Sequence, residues 1–273
     1  MIIEAKENTV ILKGIKCLDL ALTLDCGQAF RWKKEKDGSW SGAAFGKFLN
    51  IRKNENGDLI LNTTIDDFIA VWSHYFDLDR DYAEICEKLK EDKLVSSTID
   101  EYYGIRILNQ EPWEALVSFV ISQQNNIKRI KGIIKRLCDT YGEKINNEWH
   151  AFPSAEALSR LSLEEIEAIG TGYRGKYIKK LADDVASGVI NLDEIKKMNL
   201  EDAKKALLDI YGVGIKVANC ALLFGFQFIE CFPVDVWMKR VLAFYPNGLP
   251  ECFKGYEGIA QQYLFHWARN NLK

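Results

Sequence analysis

The spacing of apolar residues changes partway along the chain, and the change divides it into two regions. Up to about residue 100 the apolar positions alternate or come in short runs, as in 9–15, 18–25, 39–52 and 58–63. A period of two marks strands with one buried face. Asn54-Glu55-Asn56-Gly57, between two of these runs, has the composition of a turn between strands. Two stretches, at roughly 64–75 and 82–89, instead carry helical spacing. This region therefore reads as an antiparallel sheet accompanied by helices.

Beyond residue 100 the period becomes that of a helix. Pro112 sits where a first helical turn tolerates it, and Trp113, Leu116, Val117, Val120 and Ile121 continue the apolar face. After Gln123-Gln124-Asn125-Asn126 a second helix carries Ile127, Ile130, Ile133, Ile134 and Leu137 on one side. Further helices are predicted at about 154–159, 163–169, 174–187, 201–210, 215–226, 235–244 and 256–270. The fold class is α+β: a β-rich domain over 1–98, then an all-α region over 99–273.

Composition narrows the function classes. At 273 residues, with 48% apolar and 27% charged side chains, the chain has the balance of a folded soluble protein with a full core. Lys and Arg total 36 against 39 Asp and Glu, a net charge of −3, which excludes an overall basic nucleic-acid binder. Basic charge is nevertheless local: residues 124–144 hold six Lys and Arg against two acids, and residues 171–181 hold four against none. A one-sided nucleic-acid footprint needs no more than that. The longest apolar stretch, 217–226, is about half of the roughly 20 residues a membrane helix requires. The start, MIIEAKENTV, lacks the basic and apolar regions of a secretory leader. Seven scattered cysteines, none in a CxxC pair, and three distant histidines give no metal or redox motif, so reduced thiols in a cytoplasmic protein are expected.

One motif, helix–GxG–helix, occurs twice: Ile169-Gly170-Thr171-Gly172-Tyr173-Arg174 and Ile210-Tyr211-Gly212-Val213-Gly214-Ile215-Lys216. Two glycines one residue apart allow a tight turn that exposes amides at a helix start, a natural seat for a phosphate. A bare GxG also serves as an ordinary helix-to-helix turn. Residues 170–175 spell GxGxxG, but a helical pattern precedes them where a dinucleotide fingerprint needs a strand. Lys216 falls in the first turn of its helix, an end whose dipole disfavours cations. It is either a solvated surface lysine or an amine nucleophile, and a nucleophile must be neutral, which desolvation and neighbouring positive potential favour. Asp235 is either a simple helix cap or, as a cap held by amides, a rigid carboxylate placed for chemistry.

Taken together, Leu207-(x5)-Val213-Gly214-Ile215-Lys216 followed by Pro233-Val234-Asp235 resembles the helix-hairpin-helix signature of base-excision DNA glycosylases, with the hairpin at about 201–226. Cys26-Gly27-Gln28-Ala29-Phe30-Arg31-Trp32, the Gln-Asn-Asn stretch at 124–126, Gly172-Tyr173-Arg174 and Gln261-(x3)-Phe265 extend the resemblance to the 8-oxoguanine DNA glycosylases, over nearly the whole chain. The cysteine loop of the iron–sulfur relatives is absent, so no cluster is expected.

The resemblance implies that Lys216 attacks the sugar C1′ of a flipped nucleotide, displaces the base and forms a Schiff base that permits β-elimination. It casts Asp235 as the carboxylate that orients the lysine and stabilises a cationic sugar. Gly27, Cys220, Gln261 and Phe265 are cast as base-recognition residues, the Gly27 carbonyl accepting the extra N7–H of 8-oxoguanine. Gln124, Arg129, Tyr173 and Arg174 are cast as wedge and opposite-strand contacts, Asn126 as a further DNA-binding residue, and Gly212, Gly214 and Trp237 as contacts to the phosphates. By the bare residues alone Arg129 reads instead as the solvated face of a basic helix. Gln124 stands where the eukaryotic enzymes have Asn, and Trp237 replaces a usual His, so that contact cannot be cationic. The implied partner is double-stranded DNA with 8-oxoguanine opposite cytosine, bound by a monomer with no cofactor. Related hairpins often hold a metal cation through carbonyls, so a structural cation there is an open expectation. A glycosylase for another lesion, or a non-catalytic DNA-binding hairpin module, are the alternatives.

Overall fold

The computed structural model describes residues 1–272. Six antiparallel strands form one sheet: β1 (Ile2–Lys6), β2 (Thr9–Lys13), β3 (Trp32–Lys34), β4 (Trp40–Ala44), β5 (Lys47–Lys53) and β6 (Leu59–Leu61). Their order is β1-β2-β6-β5-β4-β3. Val10 pairs with Leu61 and Leu12 with Leu59, so alternate side chains of β2 and β6 enter the core. The turn at 54–57 joins β5 to β6 as expected, with Asn54 accepting from the amide of Asp58 at 2.8 Å.

Three features of this region differ from the sequence expectation. The run 18–25 is not a strand: Asp19 caps helix α1 (Leu20–Leu24) by accepting from the amide of Leu22 at 2.8 Å. A five-residue apolar run fits a short buried helix as well as a strand, and the cap decides. The stretch 39–52 folds back at Phe45-Gly46, where both φ angles are positive (51° and 68°), the twist that a two-residue hairpin turn requires. The stretch at 64–75 is helical but broadens to a π turn over Phe68–Trp72. Helix α2 (Tyr82–Leu89) forms where predicted, and α3 (Lys93–Glu101), capped by Asp92, runs through the expected boundary at 98/99.

Further helices used below are α4 (Pro112–Ser122), α5 (Ile127–Tyr141), α6 (Gly175–Ala186), α7 (Leu200–Leu208), α8 (Ile215–Phe224), α9 (Val236–Val241) and α10 (Glu257–Asn271). A helix at Leu192–Lys197 was not expected; Asn191 caps it. The chain forms two compact units: Met1–Gly42, Leu49–Asn109 and Phe228–Lys273 make the first, and Ala43–Phe48 with Gln110–Gln227 the second. This division differs from one at 98/99 because the C-terminal helix joins the sheet unit. Tyr263 of α10 is fully buried there, its hydroxyl 3.5 Å from the Cys86 thiol and accepting from the amide of Gly104 at 3.4 Å.

The core of the first unit includes Trp32, Trp72, Tyr75 and Phe76, whose rings meet edge-on or tilted. In the second unit α8 packs on α4, with Phe119 and Phe224 stacked at 5.4 Å. Among the described residues no helix is long and apolar enough to cross a membrane.

Candidate active site

The hairpin of the second unit is built from α7, a tight turn and α8. Asn199 caps α7, and the turn closes with the amide of Val213 donating to the carbonyl of Ile210 at 3.0 Å. Gly212 has φ +85°, and a Cβ on it would lie 2.3 Å from the ring of Tyr177, so geometry and packing both demand glycine. Gly214 has an extended backbone and starts α8 with no side-chain cap, and a Cβ there would meet nothing within 4 Å. The turn thus presents uncapped helix-start amides on an open side, the arrangement a phosphate would use.

Lys216 is half-buried in the first turn of α8. Its Nζ donates to Ser122 Oγ at 2.9 Å and lies 5.1 Å from the centre of the Phe119 ring. Ser122 is the last residue of α4, and its own hydroxyl donates to the carbonyl of Phe119 at 2.7 Å. A lysine disfavoured by the start of its own helix is therefore accommodated at the end of another, where the dipole and the aromatic face both attract a cation. Cys220 follows one turn later and is buried.

The strand-reading candidates lie in the same unit. Gln124 is exposed and holds the left-handed φ of +46°. Asn126 caps α5, accepting from the amide of Arg129 at 3.0 Å, and Arg129 is exposed. Tyr173 is 45% exposed and lies beneath the Arg174 guanidinium at 4.5 Å. Arg174 departs from the expectation of an outward reader, being only 3% exposed. Its Nε and Nη2 donate to the carbonyl of Gln123, Nη2 also to Gln124 and Nη1 to Thr171. It holds the loop that carries Gln124. Gln123 was not singled out in the sequence; its side-chain amide donates to the carbonyl of Gly212 at 3.1 Å and ties that loop to the hairpin.

The first unit holds the other candidates. Asp235 caps α9, its Oδ1 accepting from the amides of Trp237 and Met238 at 2.9 Å each. Both cap bonds fall on one oxygen, so the carboxylate is fixed while Oδ2 stays outside the cap. Trp237 lies under the Arg240 guanidinium at 5.0 Å, and Phe265 under that of Arg269 at 5.5 Å. Gly27 is half-buried with φ +89°, between the buried Cys26 and Gln28. Gln261 is buried and donates through Nε2 to the carbonyl of Pro233 at 3.1 Å.

Among the described residues no group of three or more His, Cys, Asp or Glu could hold a metal ion. At the hairpin the carbonyls of Ile210 and Gly212 already accept from Val213 N–H and Gln123 Nε2. A cation bound through them would use their second lone pairs.

Comparison with known proteins adds the decisive observation. Residues 10–116 match the family described as 8-oxoguanine DNA glycosylase, N-terminal domain, and residues 117–246 match the HhH-GPD superfamily of base excision DNA repair proteins. The chain belongs to the 8-oxoguanine DNA glycosylase family. The N-glycosylase/DNA lyase of Saccharomyces cerevisiae is 34% identical over 254 residues, covering 82% of this chain and 67% of the yeast protein. The N-glycosylase/DNA lyase OGG1 of Arabidopsis thaliana is 30% identical over 84% of this chain and 66% of its own length. The chain thus spans about two thirds of those relatives. The 8-oxoguanine glycosylase/lyase of Clostridium acetobutylicum, solved with double-stranded DNA containing cytosine opposite 8-oxoguanine, superimposes with a TM-score of 0.94 at 37% identity, covering 99% of this chain and 98% of that one. Membership in this glycosylase family accounts for the sheet unit and the helical hairpin occurring in one chain.

Proposed function

We propose that this protein is a bifunctional DNA N-glycosylase and β-lyase that removes 8-oxoguanine opposite cytosine from duplex DNA. The observation that carries the reading is the half-buried amine of Lys216, seated on Ser122 in the hairpin of a chain that belongs to this family. The base must leave the stack before its glycosidic bond can be reached. On this reading Lys216 is the nucleophile, and the DNA contacts are the hairpin amides at Gly212 and Gly214 with Gln124, Arg129 and Tyr173. Asp235 is the assisting carboxylate, Trp237 a contact to phosphate, and Gly27, Gln261 and Phe265 the base readers. Cys220, one turn beyond the nucleophile, completes the base-contacting set.

In the reaction the Lys216 amine, once it has given up a proton, forms a bond to C1′ while the C1′–N9 bond breaks, and the base leaves with that electron pair and takes up a proton. Positive charge develops on the sugar, and the fixed carboxylate of Asp235 stabilises it. A proton passes from the lysine nitrogen to O4′ as the C1′–O4′ bond breaks, which opens the ring and leaves a protonated Schiff base. Loss of a C2′ proton then expels the 3′ phosphate oxygen and nicks the strand. No step requires a metal or an organic cofactor. The protein acts as a monomer on chromosomal DNA.

Borohydride trapping on a duplex containing 8-oxoguanine opposite cytosine tests the reading. A covalent protein–DNA adduct is expected, and Lys216→Gln should abolish it while retaining lesion binding. Adduct formation by Lys216→Gln at the wild-type level would remove this lysine from the mechanism. A non-catalytic hairpin module predicts binding with no adduct in either protein, and faster release of alkylated purines across a lesion panel would point to a different substrate.

A further inference from the structure

A buried run of side-chain hydrogen bonds in the first unit ends on Gln261. Cys26 Sγ lies 3.4 Å from Gln262 Oε1 and donates to it, sharing its proton with the carbonyl of Thr23. Gln262 Nε2 donates to Gln261 Oε1 at 2.7 Å, and Gln261 Nε2 donates to the carbonyl of Pro233 at 3.1 Å. Cys26 is fully buried, and Gln261 and Gln262 are each 3% exposed. Burial pushes the Cys26 thiol up to about 11, so it keeps its proton and remains a donor at neutral pH.

The direction of this run is set from the Pro233 end. The Pro233 carbonyl can only accept, so the amino end of Gln261 must face it. The oxygen of Gln261 then faces Gln262, which must turn its own amino group towards it. Reversing Gln262 would set two amide oxygens against each other at 2.7 Å, whereas Cys26 Sγ can accept as well as donate. After these bonds Gln261 retains one N–H and one oxygen lone pair, in a fixed spatial order.

We propose that Gln262 is a positioning residue that gives the glycosylase its purine specificity, by locking the amide of Gln261 in one orientation through the bond at 2.7 Å. This rests on the reading above in which Gln261 contacts the base. Guanine-type and adenine-type bases present opposite polarity on the Watson–Crick edge: an acceptor at O6 beside a donor at N1, against a donor at N6 beside an acceptor at N1. An amide free to rotate by half a turn serves either edge; a locked amide serves one.

The test is the ratio of single-turnover excision rates for 8-oxoguanine and 8-oxoadenine, each opposite cytosine, alongside duplex affinity and thermal melting. Gln262→Met, which keeps the side-chain length without an amide, should lower the ratio roughly fivefold, the scale of one hydrogen bond, with affinity unchanged. Gln261→Ala should lower it as well. If Gln261→Ala leaves the ratio at the wild-type value, the base-reading role of Gln261 fails and the proposal with it. If Gln261→Ala lowers the ratio but folded Gln262→Met does not, the locking role alone is overturned. Should Gln262→Met not fold, Cys26→Ala reads the same run from its other end: a lowered ratio restored by Cys26→Ser supports the lock, and an unchanged ratio overturns it.

Discussion

The amine of Lys216 rests 2.9 Å from the hydroxyl of Ser122, and that hydroxyl has already given its proton to the carbonyl of Phe119. Ser122 can therefore only accept from the lysine, and it holds one N–H while the rest of the amine stays available. Ser122→Ala should slow single-turnover base release roughly tenfold, the kinetic equivalent of one hydrogen bond of about 1.4 kcal/mol. Duplex affinity should not move, and Ser122→Thr, which keeps the hydroxyl, should retain most of the rate. Rapid-quench kinetics with a binding titration checks both.

The two hairpin glycines should answer differently to alanine. At Gly212 a Cβ meets the Tyr177 ring at 2.3 Å on a backbone with φ +85°. Gly212→Ala is expected to cost about 1–3 kcal/mol of stability. At Gly214 a Cβ points into open space. Gly214→Ala should cost at most about 0.5–1 kcal/mol as a poorer helix cap, yet weaken duplex binding by obstructing the phosphate. Denaturant melts and fluorescence anisotropy separate the two.

Arg129 and Arg174 should likewise part company. Arg174→Ala leaves the carbonyls of Gln123, Gln124 and Thr171 without the guanidinium that binds all three and should cost roughly 1–3 kcal/mol. Any loss of cytosine preference should accompany that destabilisation. Arg129→Ala, on an exposed face, should leave melting within about 0.5 kcal/mol and still flatten the ranking of opposite bases. Excision rates against the four opposite bases, measured beside melting curves, decide this.

His266 gives the protein a predictable acid sensitivity. Burial, aided by Arg269 and opposed by Glu101, holds its imidazole below the ordinary value of 6.5. The unfolded chain then binds the proton more readily than the folded one, so this residue imposes no penalty well above pH 6.5 and a growing one below it. His266→Phe keeps an aromatic ring against Tyr102, now 4.5 Å from the imidazole. Between about pH 7.5 and about pH 5.5 the variant should lose less melting temperature than the wild type. Equal losses would show that His266 does not carry the effect.

The linear order of residues determined the fold class, the hairpin and its lysine, because helical periodicity, a glycine turn and a downstream Pro-Val-Asp are local patterns with local physical causes. It also carried the candidate base readers at Gly27, Gln261 and Phe265 through their resemblance to a family. Turn and helix ends were less legible: Phe45-Gly46 is not a strong hairpin signal, and α1 declared itself only through the Asp19 cap. Tertiary structure alone decided how side chains spend their hydrogen bonds. The Arg174 guanidinium is held by the carbonyls of Gln123 and Gln124, about fifty positions away, together with that of nearby Thr171, and Gln262 lies between Cys26 and Gln261 in one run of hydrogen bonds. Those partners lie up to 236 positions apart. A buried polar group must be satisfied by whatever the fold brings beside it, and no local spacing encodes which group that will be.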